Sequence, residues 1–469
     1  MSRLVVVSNR LADPHSSAPP GGLAVALRSA LRARGGLWAG WTGALVEDEA
    51  DTGVELTVHD QVSYAKLTLP RRPFEAYYDE FSNGVLWPLL HARPDLVKYD
   101  RQNLDAYREV NRTFAKLVYP LIFSDDLVWV HDYHLLPLAA ELRSWGLDNP
   151  IGFFLHVPFP APDVIRALPE RNILVAAIAS YTVFGVQTLR DKANVEALLM
   201  QDYEAIPHDD GTLEVFGRRV RIEAFPIGIE AGHARRIAED GQASAIDGFL
   251  DQFRTDPSRR LILGVDRLDY SKGLPQKLEA FDGLLDKQPD LAEKLTFLQI
   301  APLTREAVPA YQDLRCQVEQ LAGRINARHG TLTHQPLLFL TKGLPHNDIM
   351  RALAGSHVAY VTSLMDGMNL VAKEYVDAQD PEDPGVLVLS SFAGAAEEMQ
   401  SALIVNPYDR DEVVRALQTA LAMPKTERRA RHRDLMAVVE RTDVRKWARS
   451  YVAALAQSAD AVSQTRYAS

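Results

Sequence analysis

The 469 residues exceed what one ordinary hydrophobic core accommodates and suit two domains. Apolar residues make up 47% and charged residues 24%, a globular balance, and 51 Lys+Arg against 62 Asp+Glu leave a net charge of −11, which argues against a generic nucleic-acid or anionic-membrane surface. The single Cys316 excludes an intramolecular disulfide, no apolar run reaches membrane-spanning length, and the opening MSRLVVVSNR reads as a strand, so a cytoplasmic protein is expected.

Residues 4–7 form an apolar run of the kind found in buried parallel strands, and they deliver Ser8, Asn9 and Arg10 to its carboxyl end. After a Pro/Ser/Ala-rich loop, Gly21 and Gly22 open the helical pattern LAVALRSALRA. Paired glycines there let backbone N–H groups approach an anion, with Arg10 as countercharge; a plain flexible loop has the same composition. Trp38 and Trp41 in GGLWAGWTG are expected to pack.

Residues 77–91, YYDEFSNGVLWPLLH, crowd aromatic and polar groups together without clean amphipathic spacing. Tyr78 and Trp87 are candidates for holding a sugar, with core packing the commoner explanation of any one of them. LVWVHDYH then ends in His131, Asp132, Tyr133 and His134. A carboxylate at the end of a buried strand suits a hydroxylated ligand or base catalysis. His131 and His134 lack an obvious third ligand, so no metal is expected. IGFFLHVPFP repeats the pattern and hands over His156, and TVFGVQ and VRIEAFPIGIE complete a doubly wound sheet ending near Glu230. DDGT at 209–212 reads as a hairpin turn, and AGHARRIAEDGQASAIDGFL as a connecting helical stretch.

A second alternating set follows, with strands LILGV, TFLQIAP, PLLFL, HVAYVTS and GVLVLS. Between the first of these and a helical pattern lies RLDYSKG, residues 267–273. Arg267 and Lys272, on a loop with a glycine at the helix mouth, suit a diphosphate; an ordinary charged surface loop is the alternative. Arg305 lies beyond the second strand, placed either to reach an anion or to sit solvated at a helix start. HVAYVTS leads into LMDGMNLVAKEYV, where Gly367, Met368 and Asn369 present N–H groups suited to phosphate. Asp366 precedes them and Glu374 stands where ribose hydroxyls would donate; an Asp-Gly cap with a buried glutamate is the structural alternative.

Taken together, VVVSNR, GGLA, YYDEFSNGVLWP, HDYHLLP, GFFLHVPFP, PIGIE, RLDYSKG, QIAP, DGMNLVAKEY and ALIVNPYDRDE resemble the bacterial trehalose-6-phosphate synthase family, in order and over almost the whole chain. The resemblance implies an α/β GT-B fold, two Rossmann-like domains with parallel sheets facing across a cleft. Residues 1–230 would form an acceptor domain, with the C-terminal helix 443–469 packing back on it, and 231–442 a nucleotide-sugar donor domain. It implies a retaining glucosyltransferase that moves glucose from a nucleotide-glucose, usually UDP-glucose, to glucose 6-phosphate, giving α,α-trehalose 6-phosphate, with no cofactor and no metal. Acceptor contacts carry onto Arg10, Tyr78, Trp87, Asp132 and Arg305. Donor contacts carry onto Gly22, Arg267, Lys272, Leu370, Val371, Ala372, Lys373 and Glu374, with Asp366 and His156 near the transferred glucose. Arg267, Lys272, Asp132, His156 and Asp366 are thus the residues closest to the chemistry.

Leu344 stands where the family often places an aromatic residue against the nucleobase, so the choice among uridine, guanosine and adenosine stays open. The family is described with a same-face displacement, and the sequence alone does not choose between that and a carboxylate nucleophile. A related enzyme using glycerol 3-phosphate, and a non-catalytic sugar-phosphate sensor, are the rival functions. The chain ends before the fused phosphatase domain of some relatives, so the product is expected to leave phosphorylated. A homo-oligomer is left open.

Overall fold

The computed structural model describes residues 2–11, 27–28, 30–32, 34–47, 52–240, 244–305 and 308–467. The chain divides into two compact units, residues 1–227 with 444–469, and residues 228–443. Gly22 and the paired-glycine helix start lie outside the described residues.

The first unit is built on β1 (Leu4–Arg10), whose residues Leu4 to Val7 are fully buried. Around it lie β2 (Gly36–Val46), β3 (Val54–His59), β4 (Val62–Pro70), β5 (Leu127–His131), β6 (Ile151–Phe154), β7 (Val183–Val186), β8 (Ile206–Pro207), β9 (Leu213–Val215) and β10 (Arg218–Ala224). Their order is β3-β4-β2-β1-β5-β6-β7-β10-β9-β8, parallel from β4 to β10 and antiparallel at both margins. Strand order therefore reverses beside β1, which pairs Ser8 with His131 of β5. In open α/β sheets ligands collect above the carboxyl ends at such a reversal.

Trp38 and Trp41 are buried as expected, but on β2, and β3 and β4 extend the sheet further. The glycine-rich GGLWAGWTG hid that strand, because glycine blurs the alternation that identifies one. DDGT is the turn of the β8–β9 hairpin, closed by His208 N donating to Thr212 O at 2.9 Å. Residues Ala76–Leu86 wind as a π-helix, followed by a short α-helix at Trp87–Leu90. Its wider i→i+5 turn explains why no 3.6-residue period was visible there.

The C-terminal helix Val444–Tyr467 belongs to this unit and lies on the sheet. The Tyr451 ring stacks on Trp129 at 4.3 Å and 8°, and its hydroxyl donates to Phe153 O at 2.8 Å. Gly152 and Gly185 make room for it, since a Cβ on Gly152 would stand 2.5 Å from the Tyr451 hydroxyl and one on Gly185 2.6 Å from the ring.

The second unit holds β11 (Arg260–Val265), β12 (Leu295–Ile300), β13 (Leu337–Leu340), β14 (Val358–Val361), β15 (Val386–Ser390) and β16 (Leu403–Val405), all parallel in the order β13-β12-β11-β14-β15-β16. This is the dinucleotide-fold order, with its reversal between β11 and β14. The segment ALIV supplies β16, a three-residue strand too short to announce itself by pattern. The connecting stretch after residue 230 is two helices, His233–Ala238 and Asp247–Thr255, and not one.

Tyr451→Ala is expected to destabilise the protein by about 3–5 kcal/mol, the usual cost of deleting a large buried aromatic side chain. Chemical denaturation with near-UV circular dichroism checks this, and a loss below about 1 kcal/mol would show that the C-terminal helix does not brace the sheet.

Candidate active site

Each unit carries one group of candidate residues, and each group hangs from the carboxyl ends of its strands. In the first unit, the turn after β1 is fixed by Trp38 Nε1 donating to the Ser8 hydroxyl at 2.8 Å and by that hydroxyl donating to Arg10 O at 2.9 Å. Arg10 is exposed, with its guanidinium carbon 5.6 Å from the centre of the Trp41 ring. Tyr77 ties the π-helix to β1 by donating to Asn9 Oδ1 at 2.8 Å. Its neighbour Tyr78 is half-buried, stacked on Phe74 at 5.1 Å and on His134 at 5.4 Å. Trp87 is buried against His91 and Tyr133.

Asp132 follows β5 with φ 72 and ψ 161, a region that glycine enters freely and other residues enter at a cost of about 1–3 kcal/mol. The surroundings impose it: Asp132 N donates to Phe154 O at 2.9 Å, and Asp132 Oδ1 accepts from His156 N at 3.2 Å. The carboxylate thereby bridges the ends of β5 and β6. His131 Nδ1 and His156 Nε2 are 3.1 Å apart. His131 and His134 point to different partners, His156 and Tyr78, and do not form a ligand pair. Desolvation pushes His156 down to about 3 and His131 well below the usual imidazole range, so both rings are neutral.

In the second unit, residues 266–273 form a loop and a short 3₁₀ turn whose Gly273 has φ 65. Asp269 is fully buried, and its Oδ1 accepts from Ser271 N at 3.0 Å while Oδ2 accepts from Arg305 Nη1 at 2.9 Å and the Tyr311 hydroxyl at 3.0 Å. Arg305 is thus neither solvated nor loose. Its side chain is 7% exposed, on a backbone of φ 50, and the ion pair to Asp269 sets its direction. Arg267 stands exposed on the same loop.

Lys272 Nζ donates to Asp366 Oδ2 at 2.5 Å across the β11–β14 reversal. The same oxygen accepts from Ser363 at 3.1 Å and Asn369 Nδ2 at 3.0 Å. An ammonium has three donors, so two of those on Lys272 remain available to a further anion. Ser271 O accepts from the N–H groups of Leu364 and Met365, joining the two loops that flank the reversal. Beneath them the buried Lys277 donates to Asp266 Oδ2 at 2.5 Å and to Tyr360 O at 2.8 Å. Sequence reasoning passed over Asp269, Lys277 and Tyr311; only the Asp-x-Ser spacing at 269–271, a signal for a local turn, pointed to the first.

Asn369, with φ 70, caps the helix Leu370–Ala378 by accepting from Ala372 N at 3.3 Å. That leaves Leu370 and Val371 in its first turn, where amides have no intrahelical acceptor. Lys373 is buried and donates to Glu398 Oε2 at 2.8 Å, so its side chain serves the interior. Leu344 is half-buried just before the helix His346–Gly355.

Burial, and then the Asp377 carboxylate, push the Glu374 carboxyl up to about 7 from 4.5. The folded protein therefore holds a proton that the unfolded chain releases above 4.5, and stability falls as pH rises from 4.5 to 7 and levels off beyond it. The total is about 3 kcal/mol. Glu374→Gln is expected to abolish that slope and to be more stable than the parent at pH 8, measured by denaturant unfolding across pH 4.5–8; an unchanged slope would contradict the raised value.

Arg10 and Asp132 at strand ends of one unit, and in the other unit cations held by carboxylates beside a capped helix mouth, suit a phosphorylated ligand and a diphosphate. The family model for glycosyltransferase family 20 matches residues 5–457. A trehalose-6-phosphate synthase of Cronobacter sakazakii is 46% identical over 462 residues, covering 97% of this chain and 96% of that one. A solved E. coli structure bound with UDP-2-fluoro glucose has a TM-score of 0.93 at 43% identity, covering 97% of this chain and 99% of that one. A UDP-forming α,α-trehalose-phosphate synthase from Burkholderia xenovorans, solved in complex with glucose-6-phosphate, has a TM-score of 0.91 at 43% identity, covering 97% and 100%. With an α/β GT-B fold of Rossmann-like sheets and a match along nearly its whole length, the chain belongs to glycosyltransferase family 20.

Proposed function

We propose that this protein is a retaining glucosyltransferase that moves glucose from UDP-glucose to glucose 6-phosphate and releases α,α-trehalose 6-phosphate and UDP. The observation that carries the reading is the full-length likeness to trehalose-6-phosphate synthases, and the ion pairs that hold Lys272 and Arg305 after strand ends support it. The second unit would hold the donor. Leu370 and Val371 amides, Arg267 and Lys272 meet the diphosphate, Glu374 accepts from ribose, and the Leu344 backbone lies against the base. Arg10, Tyr78, Trp87, Asp132 and Arg305 would hold the acceptor.

In the reaction the bond from the anomeric carbon to the diphosphate oxygen breaks, and a bond to the acceptor hydroxyl oxygen forms on the same face. The acceptor proton passes to the leaving diphosphate oxygen. Negative charge grows on that diphosphate, so Arg267 and Lys272 stabilise the transition state more than the ground state. Arg10 and Arg305 use the remote acceptor phosphate to position the attacking hydroxyl. Desolvation makes the His156 imidazole a weak base, so it serves as a hydrogen-bonding partner for the glucose. We place the activity in the cytoplasm, consistent with a single cysteine and with no helix among the described residues being long and apolar enough to cross a membrane.

Incubation with glucose 6-phosphate and UDP-, GDP- or ADP-glucose is expected to release UDP only when the acceptor is present, with trehalose 6-phosphate as product. Release that ignores glucose 6-phosphate, or that needs glycerol 3-phosphate instead, would overturn the assignment. Lys272→Ala should lower kcat by about 10²–10³-fold with little change in KM. Arg305→Lys, which keeps the charge and loses the fork, should raise KM for glucose 6-phosphate about 10-fold. Equal effects on both parameters in both variants would contradict this division of roles. UDP binding should tighten as pH rises from 6 to 8, because ribose hydroxyls favour the ionised Glu374, and calorimetry on Glu374→Gln should show a shallower profile that retains only the ionisation of the UDP terminal phosphate.

A further inference from the structure

We infer that His131 is a positioning residue that locks His156 into the tautomer carrying its proton on Nδ1, so that His156 offers the transferred glucose a hydrogen-bond donor and no acceptor. The part concerning glucose rests on the functional reading above; the tautomer does not.

The geometry is that of two imidazoles sharing one proton. His131 Nδ1 and His156 Nε2 lie 3.1 Å apart, with ring centres 5.4 Å apart and planes inclined by 24°. Neither ring has a carboxylate bonded to it, and desolvation keeps both neutral, so one nitrogen of this pair donates and the other accepts.

The far side of His131 decides which. His131 is 2% exposed, and its Nε2 is buried without a hydrogen-bond partner. The indoles beside it, Trp129 at 4.5 Å and Trp447 at 6.5 Å between ring centres, carry buried Nε1–H groups that likewise lack an acceptor. A proton on His131 Nε2 would be a further buried donor without a hydrogen-bond acceptor. A lone pair there orphans no donor, and buried orphaned N–H groups are the rarer defect. The His131 proton therefore sits on Nδ1 and is donated to His156 Nε2. His156, being neutral, then carries its own proton on Nδ1, at the edge of the ring that remains partly accessible.

Two devices hold that edge in place. His156 N is tied to Asp132 Oδ1 at 3.2 Å, and the His156 ring lies against Phe154 at 4.7 Å and Trp447 at 6.2 Å between ring centres. The consequence is selectivity by hydrogen-bond polarity: the group on the sugar that meets Nδ1–H must accept. A hydroxyl oxygen qualifies, and an ammonium at the same position does not.

The test uses the full-length protein labelled with ¹⁵N-histidine and long-range ¹H–¹⁵N spectra, with His156→Gln identifying the His156 signals. The expected wild-type result is a pyrrole-like Nδ1 and a pyridine-like Nε2 on His156. His131→Phe should move His156 toward the Nε2–H form and lower kcat about 10-fold while KM for glucose 6-phosphate holds. His131→Asn, whose amide N–H can stand where Nδ1–H stood, should restore kcat to within a few-fold, which a merely space-filling role would not do. A wild-type His156 protonated on Nε2 would overturn the lock without any variant being needed. The Nδ1–H form together with an unchanged kcat in His131→Phe would overturn the role toward glucose, and would locate the error in the placement of the sugar and not in the tautomer.

Discussion

The reversal of strand order, β1 against β5 in one sheet and β11 against β14 in the other, is the constraint from which the candidate chemistry follows. Helices cannot cover the point where the chain departs in opposite directions from two adjacent strands, so a crevice opens there with backbone and polar side chains at its rim. The described candidates all end or follow strands at their carboxyl ends: Arg10 closes β1, Tyr78 and Trp87 come after β4, Asp132 after β5, His156 after β6, Arg267 and Lys272 after β11, Arg305 after β12, Leu344 after β13, and Asp366 to Glu374 after β14.

In a protein of net charge −11 any anionic ligand must meet locally concentrated positive charge, and here carboxylates are committed to aiming cations. Asp366 holds Lys272, Asp269 holds Arg305, and the buried Asp266–Lys277 pair ties β11, the following helix and Tyr360 O together under the loop. Such buried pairs add little net stability, but breaking one strands a charge, so the geometry is enforced. The positive φ of Asp132, Arg305 and Asn369 fits the same account. Strained or left-handed backbone persists where surrounding hydrogen bonds over-determine it, as they do at Asp132 and Asn369.

Much of this was legible in the sequence because buried parallel strands are short apolar runs followed at once by polar residues. LVVVSNR, LVWVHD and LILGVDR declare strand, end and candidate together. What escaped had weak or misleading local signals. β2 is interrupted by glycines, β16 is three residues long, and the stretch 76–86 follows a π-helical winding that no standard period detects. The supporting residues escaped for another reason. Lys277 matters through partners 11 and 83 positions away, Tyr311 through Asp269, 42 positions away, and His131, although named in the sequence, through His156, 25 positions away, and through Trp447 of the C-terminal helix; such pairings exist only once the sheet has formed.

Hydrogen exchange read by mass spectrometry, with UDP and with glucose 6-phosphate added separately, tests most directly whether the strand-order reversals are where ligands bind. UDP should slow exchange in residues 267–273 and 366–374. Glucose 6-phosphate should slow it around residues 8–11, 77–87 and 132–135. Protection confined to loops at the amino ends of the strands, or absent from both sets of peptides under saturating ligand, would contradict the account.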